Sequence, residues 1–144
     1  MALLELFNFI HFIGLAFGLG GATIAAIVSA KAEKDKELGK QIGKILPSIV
    51  KLIWAGIILL VISGIALPFL ISWSLNTKLL IIKHVLVLWI ILFGVSLGII
   101  SKKMARFAQE KNEKGLLKSK KTMKILSIIN LALWYVVTLM SAFV

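Results

Sequence analysis

Four long apolar runs dominate the sequence, at residues 3–30, 45–73, 79–101 and 125–144. Each run is long enough to cross a bilayer, since a spanning helix needs about 20 mostly apolar residues. None of them alternates polar and apolar residues with the period of two that a barrel strand requires. Hydrophobic residues fill 60% of the 144 positions, against roughly 45–50% in an ordinary soluble domain. The sequence therefore predicts an all-α integral membrane protein, with residues 1–144 forming a single domain built as a bundle of four transmembrane helices.

The charged residues lie in blocks between these runs. The chain has 17 Lys and Arg against 6 Asp and Glu, and most of the positive charge falls in two loops, 31–44 and 102–124. Residues 74–78, between the second and third runs, contain a single base, Lys78. The positive-inside rule then predicts cytoplasmic basic loops and outside termini in a prokaryotic cytoplasmic membrane. This topology, with anionic lipids as partners of the lysines, explains the charge without nucleic acid.

Two local signals bear on where the helices end. Pro68 lies near the outer end of the second run, where it is expected to kink or end the helix. Residues 104–113 are good helix formers, so we expect the third helix to continue beyond the membrane, with a break at Gly115.

Few residues inside the runs can do chemistry. Cysteine is absent, which excludes thiolate metal sites, c-type haem attachment and disulfides. The ionisable residues within the runs are His11, Lys51, Lys83 and His84, and such groups usually face a bundle interior or cavity. At 1.5 Å per residue, His11 lies about 12 Å into the first span and His84 about 7 Å into the third. Both helices enter from outside, so the two histidines are predicted at similar depths.

A glycine stripe accompanies His11 along the first helix. Helical spacing places Gly14, Gly18 and Gly21 on the same face as His11. One interpretation is close packing of helices through a small-xxx-small pattern. The other is clearance for a flat macrocycle beside its axial ligand.

The first and third apolar runs also share one spacing of His and Gly residues. His11 precedes Gly21 by ten residues and His84 precedes Gly94 by ten, and basic residues follow both glycines. Parallel repeats of this kind occur in membrane transporters. This shared spacing suggests that the chain consists of two duplicated helical hairpins.

Haem b fits this inventory of ligands best. Zinc and copper sites want three or four ligands, whereas haem b needs one or two axial ligands and an apolar cleft. We therefore predict haem b with His11 as one axial ligand and His84 or Lys83 as the other, in electron transfer or oxidation of a membrane-associated reductant. For Lys83 the alternative is that its ammonium snorkels to the head groups.

Two other functions stay open. A copper permease or accessory protein would pass Cu(I) along His11, His84 and Met140. A structural or assembly subunit would pack its glycine groove against a partner helix, and a homodimer is also possible for a bundle that exposes lipid-facing surface on all sides.

Short motifs in the first three runs resemble a known group of membrane proteins. The motifs are Phe9-Ile10-His11 with Gly20-Gly21-Ala22, Lys51-Leu52-Ile53-Trp54 with Ser63-Gly64, and Lys83-His84-Val85-Leu86-Val87-Leu88. They resemble helices of the copper-resistance D (CopD) family and of the four-helix HemJ-type protoporphyrinogen oxidases. The resemblance implies bound haem b, with a functional His in the first helix and a functional Lys in the third. These roles fall on His11 and on Lys83, the latter as the reactive or ligating amine of an oxidoreductase.

Overall fold

The computed structural model describes residues 2–71, 77–141 and Phe143, and for Lys36 only the backbone. The predicted all-α class is confirmed: the structure is 93% helix. Within the described ranges there is no strand. Four helical stretches are long and apolar enough to cross a membrane: Ala2–Ala32, Glu37–Leu70, Thr77–Gln109 and Glu113–Met140.

The first compact unit comprises Met1–Thr77. Its N-terminal helix runs as α1 (Ala2–Leu15), a π-helical segment (Ala16–Gly20) and α2 (Gly21–Ala32) without interruption. The chain then turns and enters α3 (Lys36–Leu70), which packs along all three parts of the N-terminal helix.

A side-chain cap fixes the start of α3. Asp35 accepts hydrogen bonds from the backbone N–H groups of Glu37 and Leu38 at 2.9 and 3.2 Å, which satisfies donors that a helix leaves open in its first turn. As a result α3 begins at Lys36, well before the apolar run at 45–73, and continues through Pro47. It ends at Leu70, two residues after Pro68.

The second compact unit comprises Lys78–Phe143. It contains α4 (Thr77–Gln109) and α5 (Glu113–Met140). Lys111 in the turn between them has a positive φ of 52°, and the side chain of Asn112 accepts a hydrogen bond from the Gly115 N–H at 2.9 Å. The break expected at Gly115 was wrong, because the chain reverses at Lys111 and Asn112 caps a helix that already includes Gly115.

The helices extend beyond the apolar runs at their basic ends. The 33 residues of α4 would measure about 50 Å at 1.5 Å per residue, whereas the hydrocarbon core is only about 30 Å thick. The expected continuation of the third helix is thus confirmed as far as Gln109. Residues 31–44 and 102–124, predicted as loops, are mostly helical. Of the short loop at 74–78, residues 74–76 lie outside the described residues, and Lys78 belongs to α4.

Candidate functional site

His11 and Ser63 join the first two long helices through their side chains. His11 Nδ1 lies 2.9 Å from Ser63 Oγ, across 52 residues of sequence. Ser63 has no solvent-exposed surface. In the part of the chain that the structure describes, Ser63 and Trp134 are the two buried residues whose side chains carry a polar group. His11 itself is half-buried. A hydrogen bond to a fully buried serine therefore joins two spanning helices.

The hydrogen-bond network assigns the tautomer of His11. Ser63 Oγ also lies 2.7 Å from the Leu59 carbonyl and 3.3 Å from the Leu60 carbonyl. A carbonyl only accepts, so the single hydroxyl proton of Ser63 is donated to Leu59. Ser63 Oγ must then accept from His11, which places the imidazole proton on Nδ1. In the neutral ring this leaves the lone pair on Nε2.

The site is set by the antiparallel register of the N-terminal helix and α3. His11 meets Ser63, and the next contacts along the two helices pair Gly14 with Leu60, Gly18 with Gly56 and Gly21 with Ile53. The residue numbers of each pair add to 74. Two antiparallel helices with equal rise give such a constant sum, so one regular seam positions all four contacts.

Glycines let the backbones of this seam touch. A Cβ atom built on Gly14 would lie 2.9 Å from Leu60 Cγ and 3.1 Å from the Gly56 carbonyl oxygen. A Cβ atom on Gly56 would lie 2.7 Å from the Gly14 carbonyl oxygen and would overlap the backbone nitrogen of Gly18. Close approach of this kind is the use that membrane helices make of small-xxx-small patterns.

The glycine face of the N-terminal helix is consequently covered by α3. Gly14, Gly18 and Gly21 are all buried, and a Cβ on Gly21 would lie 2.8 Å from Ile53 Cγ1. The clearance predicted for a macrocycle at these glycines is filled by α3. The same contact supplies the partner helix that the assembly hypothesis sought, and that partner is a segment of this chain.

The π-helical segment lies within the same seam. It carries Gly18 at the contact with Gly56, and its Leu19 carbonyl accepts a hydrogen bond from the Thr23 hydroxyl at 2.8 Å. Single π-helical turns inside α-helices are frequent at functional sites. No feature of the sequence had indicated this irregularity.

Lys83 and His84 lie on α4, in the second unit. His84 is exposed, and its Nδ1 lies 2.8 Å from the Leu80 carbonyl oxygen of its own helix. Since a carbonyl only accepts, Nδ1 carries the proton here too, and in the neutral ring Nε2 then has the lone pair. Lys83 is half-buried. The pairing of either residue with His11 stays a prediction.

Ser63 is the site residue that sequence reasoning missed. It had been noticed only as part of a Ser-Gly motif. An antiparallel register through the glycines would have identified it, because Gly14 against Leu60 places Ser63 opposite His11.

Among the described residues, no three His, Cys, Asp or Glu side chains lie together in a way that could hold a metal ion. Met140, the third residue of the copper hypothesis, is the last residue of α5.

Comparison with known proteins identifies the family. The model of a family described as predicted integral membrane proteins, DUF2269, matches residues 5–144. The chain belongs to the DUF2269 family. Neither a search of curated proteins nor a search of solved structures returned a match.

The family and the four apolar helices together make this DUF2269 protein an integral membrane protein. The family description names no cofactor and no reaction, and none of the comparisons groups the chain with copper-resistance D or HemJ-type proteins.

Proposed function

We propose that this protein binds haem b in the membrane and that His11 is one axial ligand of the iron. The observation that carries the proposal is the hydrogen bond from His11 Nδ1–H to the buried Ser63 Oγ. Histidines that ligate metals almost always donate their other ring N–H to an oxygen, which fixes the tautomer and the ring orientation. Ser63 supplies that oxygen, and iron would bind at Nε2, the ring nitrogen that this neutral tautomer leaves unprotonated.

The donors of this chain fit haem in part. Neutral imidazole suits iron, and haem b asks for no more than two axial ligands. The glycine face does not supply the cleft, because α3 occupies it. When bound, haem supplies one-electron redox chemistry. His11 binds and orients it, and Ser63 holds the imidazole in one tautomer.

The second axial position has two candidates, Lys83 and His84. The bond of His84 Nδ1–H to the Leu80 carbonyl leaves the Nε2 lone pair for a metal. Lys83 is the position that the resemblance to HemJ-type oxidases favours as a reactive or ligating amine. The activity proposed with either ligand is electron transfer, or oxidation of a membrane-associated reductant as in the HemJ-type enzymes.

The proposed topology places both termini outside and the basic helix ends in the cytoplasm, in a prokaryotic cytoplasmic membrane. The positive-inside rule supports this orientation. Lysines at the facing ends of α4 and α5 are exposed and suited to anionic lipid head groups: Lys102, Lys103, Lys114, Lys118, Lys120 and Lys121. A homodimer or a partner membrane subunit is compatible with this arrangement and stays a prediction.

The decisive experiment is a visible spectrum of the detergent-purified protein, expressed with added haem precursor, in the oxidised and dithionite-reduced states. We expect a Soret band with sharp reduced α and β bands. His11→Ala should abolish them while the helical circular dichroism is retained. Lys83→Ala and His84→Ala are compared in the same way, and the one that converts the spectrum to a five-coordinate form identifies the second ligand.

Two results would overturn the proposal. One is a protein without absorbance after haem has been supplied, and the other is an unchanged spectrum in His11→Ala. A colourless protein that binds Cu(I) stoichiometrically, and loses that binding in His11→Ala, would support the copper alternative instead.

A further inference from the structure

The transmembrane part of α5 contains two buried polar atoms without a hydrogen-bond partner among the described residues. They are the amide oxygen Oδ1 of Asn130 and the indole nitrogen Nε1 of Trp134. Trp134 is only 3% exposed, so its N–H donor is enclosed. One atom is an acceptor and the other a donor, and the two residues lie four positions apart on one helix.

Leaving these two buried atoms without hydrogen bonds costs free energy in a membrane. The bilayer core offers no bulk water to hydrogen-bond an exposed polar group, and a buried donor or acceptor without a partner bears its full desolvation cost. Buried indole N–H groups usually find a partner. Asn130 Oδ1 and Trp134 Nε1 therefore offer one acceptor and one donor to a polar group.

Neighbouring hydroxyls of α5 are engaged elsewhere. Thr138 Oγ1 donates to the Trp134 carbonyl at 2.8 Å, and Ser127 Oγ donates to the Lys124 carbonyl at 2.9 Å. Both hydroxyl protons serve the backbone of the same helix. Neither hydroxyl can therefore donate to Asn130 Oδ1, and a donor to that oxygen has to come from outside this part of α5.

We propose that Asn130 and Trp134 together bind one hydroxyl oxygen. Residues four apart on a helix lie on the same face, with Cβ atoms about 5–6 Å from each other, so the amide of Asn130 and the indole of Trp134 can both reach one oxygen placed between them. The oxygen accepts from Trp134 Nε1–H and donates to Asn130 Oδ1. A ketone or ester carbonyl would satisfy Trp134 alone and an ammonium Asn130 alone, whereas a hydroxyl satisfies both.

Two sources can supply this hydroxyl: a water molecule held inside the membrane, or the alcohol group of an amphiphile. Buried waters typically make about three hydrogen bonds to groups that would otherwise be unsatisfied. The site lies on α5, so it does not depend on haem or on His11.

The test is nuclear magnetic resonance of the full chain in lipid nanodiscs, with the indole nitrogens labelled with nitrogen-15. The Trp134→Phe variant assigns the Trp134 indole signal among the four tryptophans. We expect a nuclear Overhauser cross-peak from Trp134 Hε1 either to water or to a bound alcohol. Trp89 on α4 is the control, since it is half exposed at the apolar surface and should show no water cross-peak at that depth.

The two sources give different results. A cross-peak at the water frequency that survives exchange into a detergent without hydroxyl groups shows water. A cross-peak to a carbon-bound or alcohol proton that disappears on this exchange shows an amphiphile, which mass spectrometry of the extract then identifies.

Asn130→Leu should remove the cross-peak and shift the Trp134 indole signal upfield, while the helical circular dichroism stays unchanged. If the wild-type Trp134 Hε1 shows no cross-peak to water or ligand, the proposal is wrong. The wild-type spectrum alone decides this, even if the variant does not fold.

Discussion

Gly56 of α3 lies in backbone contact with Gly18 of the π-helical segment, so that even a methyl group on Gly56 would overlap the Gly18 nitrogen. The contact lies between the His11–Ser63 hydrogen bond and the Gly21–Ile53 contact. Because the two backbones touch here, the spacing between the N-terminal helix and α3 depends on Gly56 having no side chain.

Gly56→Ala should therefore destabilise the protein. The added methyl meets backbone atoms of Gly14 and Gly18, which cannot rotate away as a flexible side chain would. Overpacking of this kind costs about 1–3 kcal/mol. The measurement is thermal unfolding in detergent, followed by circular dichroism.

Gly64→Ala is the matched control on the same helix. A Cβ atom on Gly64 would meet nothing within 4 Å, and alanine is favoured over glycine in a helix by up to about 1 kcal/mol. We expect this variant to be at least as stable as the wild type. Equal destabilisation by both substitutions would contradict the backbone contact at Gly56.

Ser63→Ala should destabilise the first unit, at the end of the seam that carries His11. The substitution removes the acceptor of His11 Nδ1–H, and loss of one partner of a buried hydrogen bond costs about 1–3 kcal/mol. The same unfolding experiment measures the loss. Ser96→Ala is the comparison, because the Ser96 hydroxyl bonds only to the Leu92 carbonyl of its own helix in the described contacts. Similar melting curves for the two variants would speak against an energetic role of the His11–Ser63 bond.

Lys111→Gly should stabilise the turn between α4 and α5. Lys111 has a φ of 52°, a left-handed conformation that costs an L-residue roughly 1–2 kcal/mol and that glycine adopts without penalty. We expect a higher melting temperature for Lys111→Gly and little change for Lys111→Ala, which keeps the Cβ atom. If Lys111→Ala raised the melting temperature and Lys111→Gly left it unchanged, the left-handed backbone conformation of residue 111 would not be the cause of the stabilisation.

The proposed orientation can be tested with single cysteines, since the wild-type chain has none. Lys114→Cys and Thr77→Cys introduce thiols at exposed positions near opposite ends of the α4–α5 unit. An impermeant maleimide added to intact cells should label Thr77→Cys, and Lys114→Cys only after the cells are permeabilised. The reverse pattern would place the basic helix ends outside.

Sequence reasoning identified the helices better than their ends. Long apolar windows report the part of a helix that lies in lipid, but backbone hydrogen bonds continue equally well through lysines, so α3 begins at Lys36 and α4 continues to Gln109. The start of α3 was predictable, because Asp35 belongs to a residue type that commonly caps the N-terminus of a helix. The reversal at Lys111 was not, because nothing about lysine predicts a positive φ.

The site was predictable in the same uneven way. His11 is evident from sequence because an ionisable group inside an apolar run is rare. Ser63 is not, since a serine can satisfy its hydroxyl on its own helix, as Ser96 does, and so it carries no signal of burial. Only the pairing of the two helices distinguishes these serines, and pairing is a property of the fold.

The hydrogen bonds around Ser63 also limit where a proton can go. His11 donates to Ser63, and Ser63 donates to the Leu59 carbonyl, which is far too weak a base to take the proton over. A proton that reaches the imidazole therefore has no onward relay through Ser63 towards α3. The electron transfer proposed at His11 would therefore not be accompanied by proton transfer along this pair.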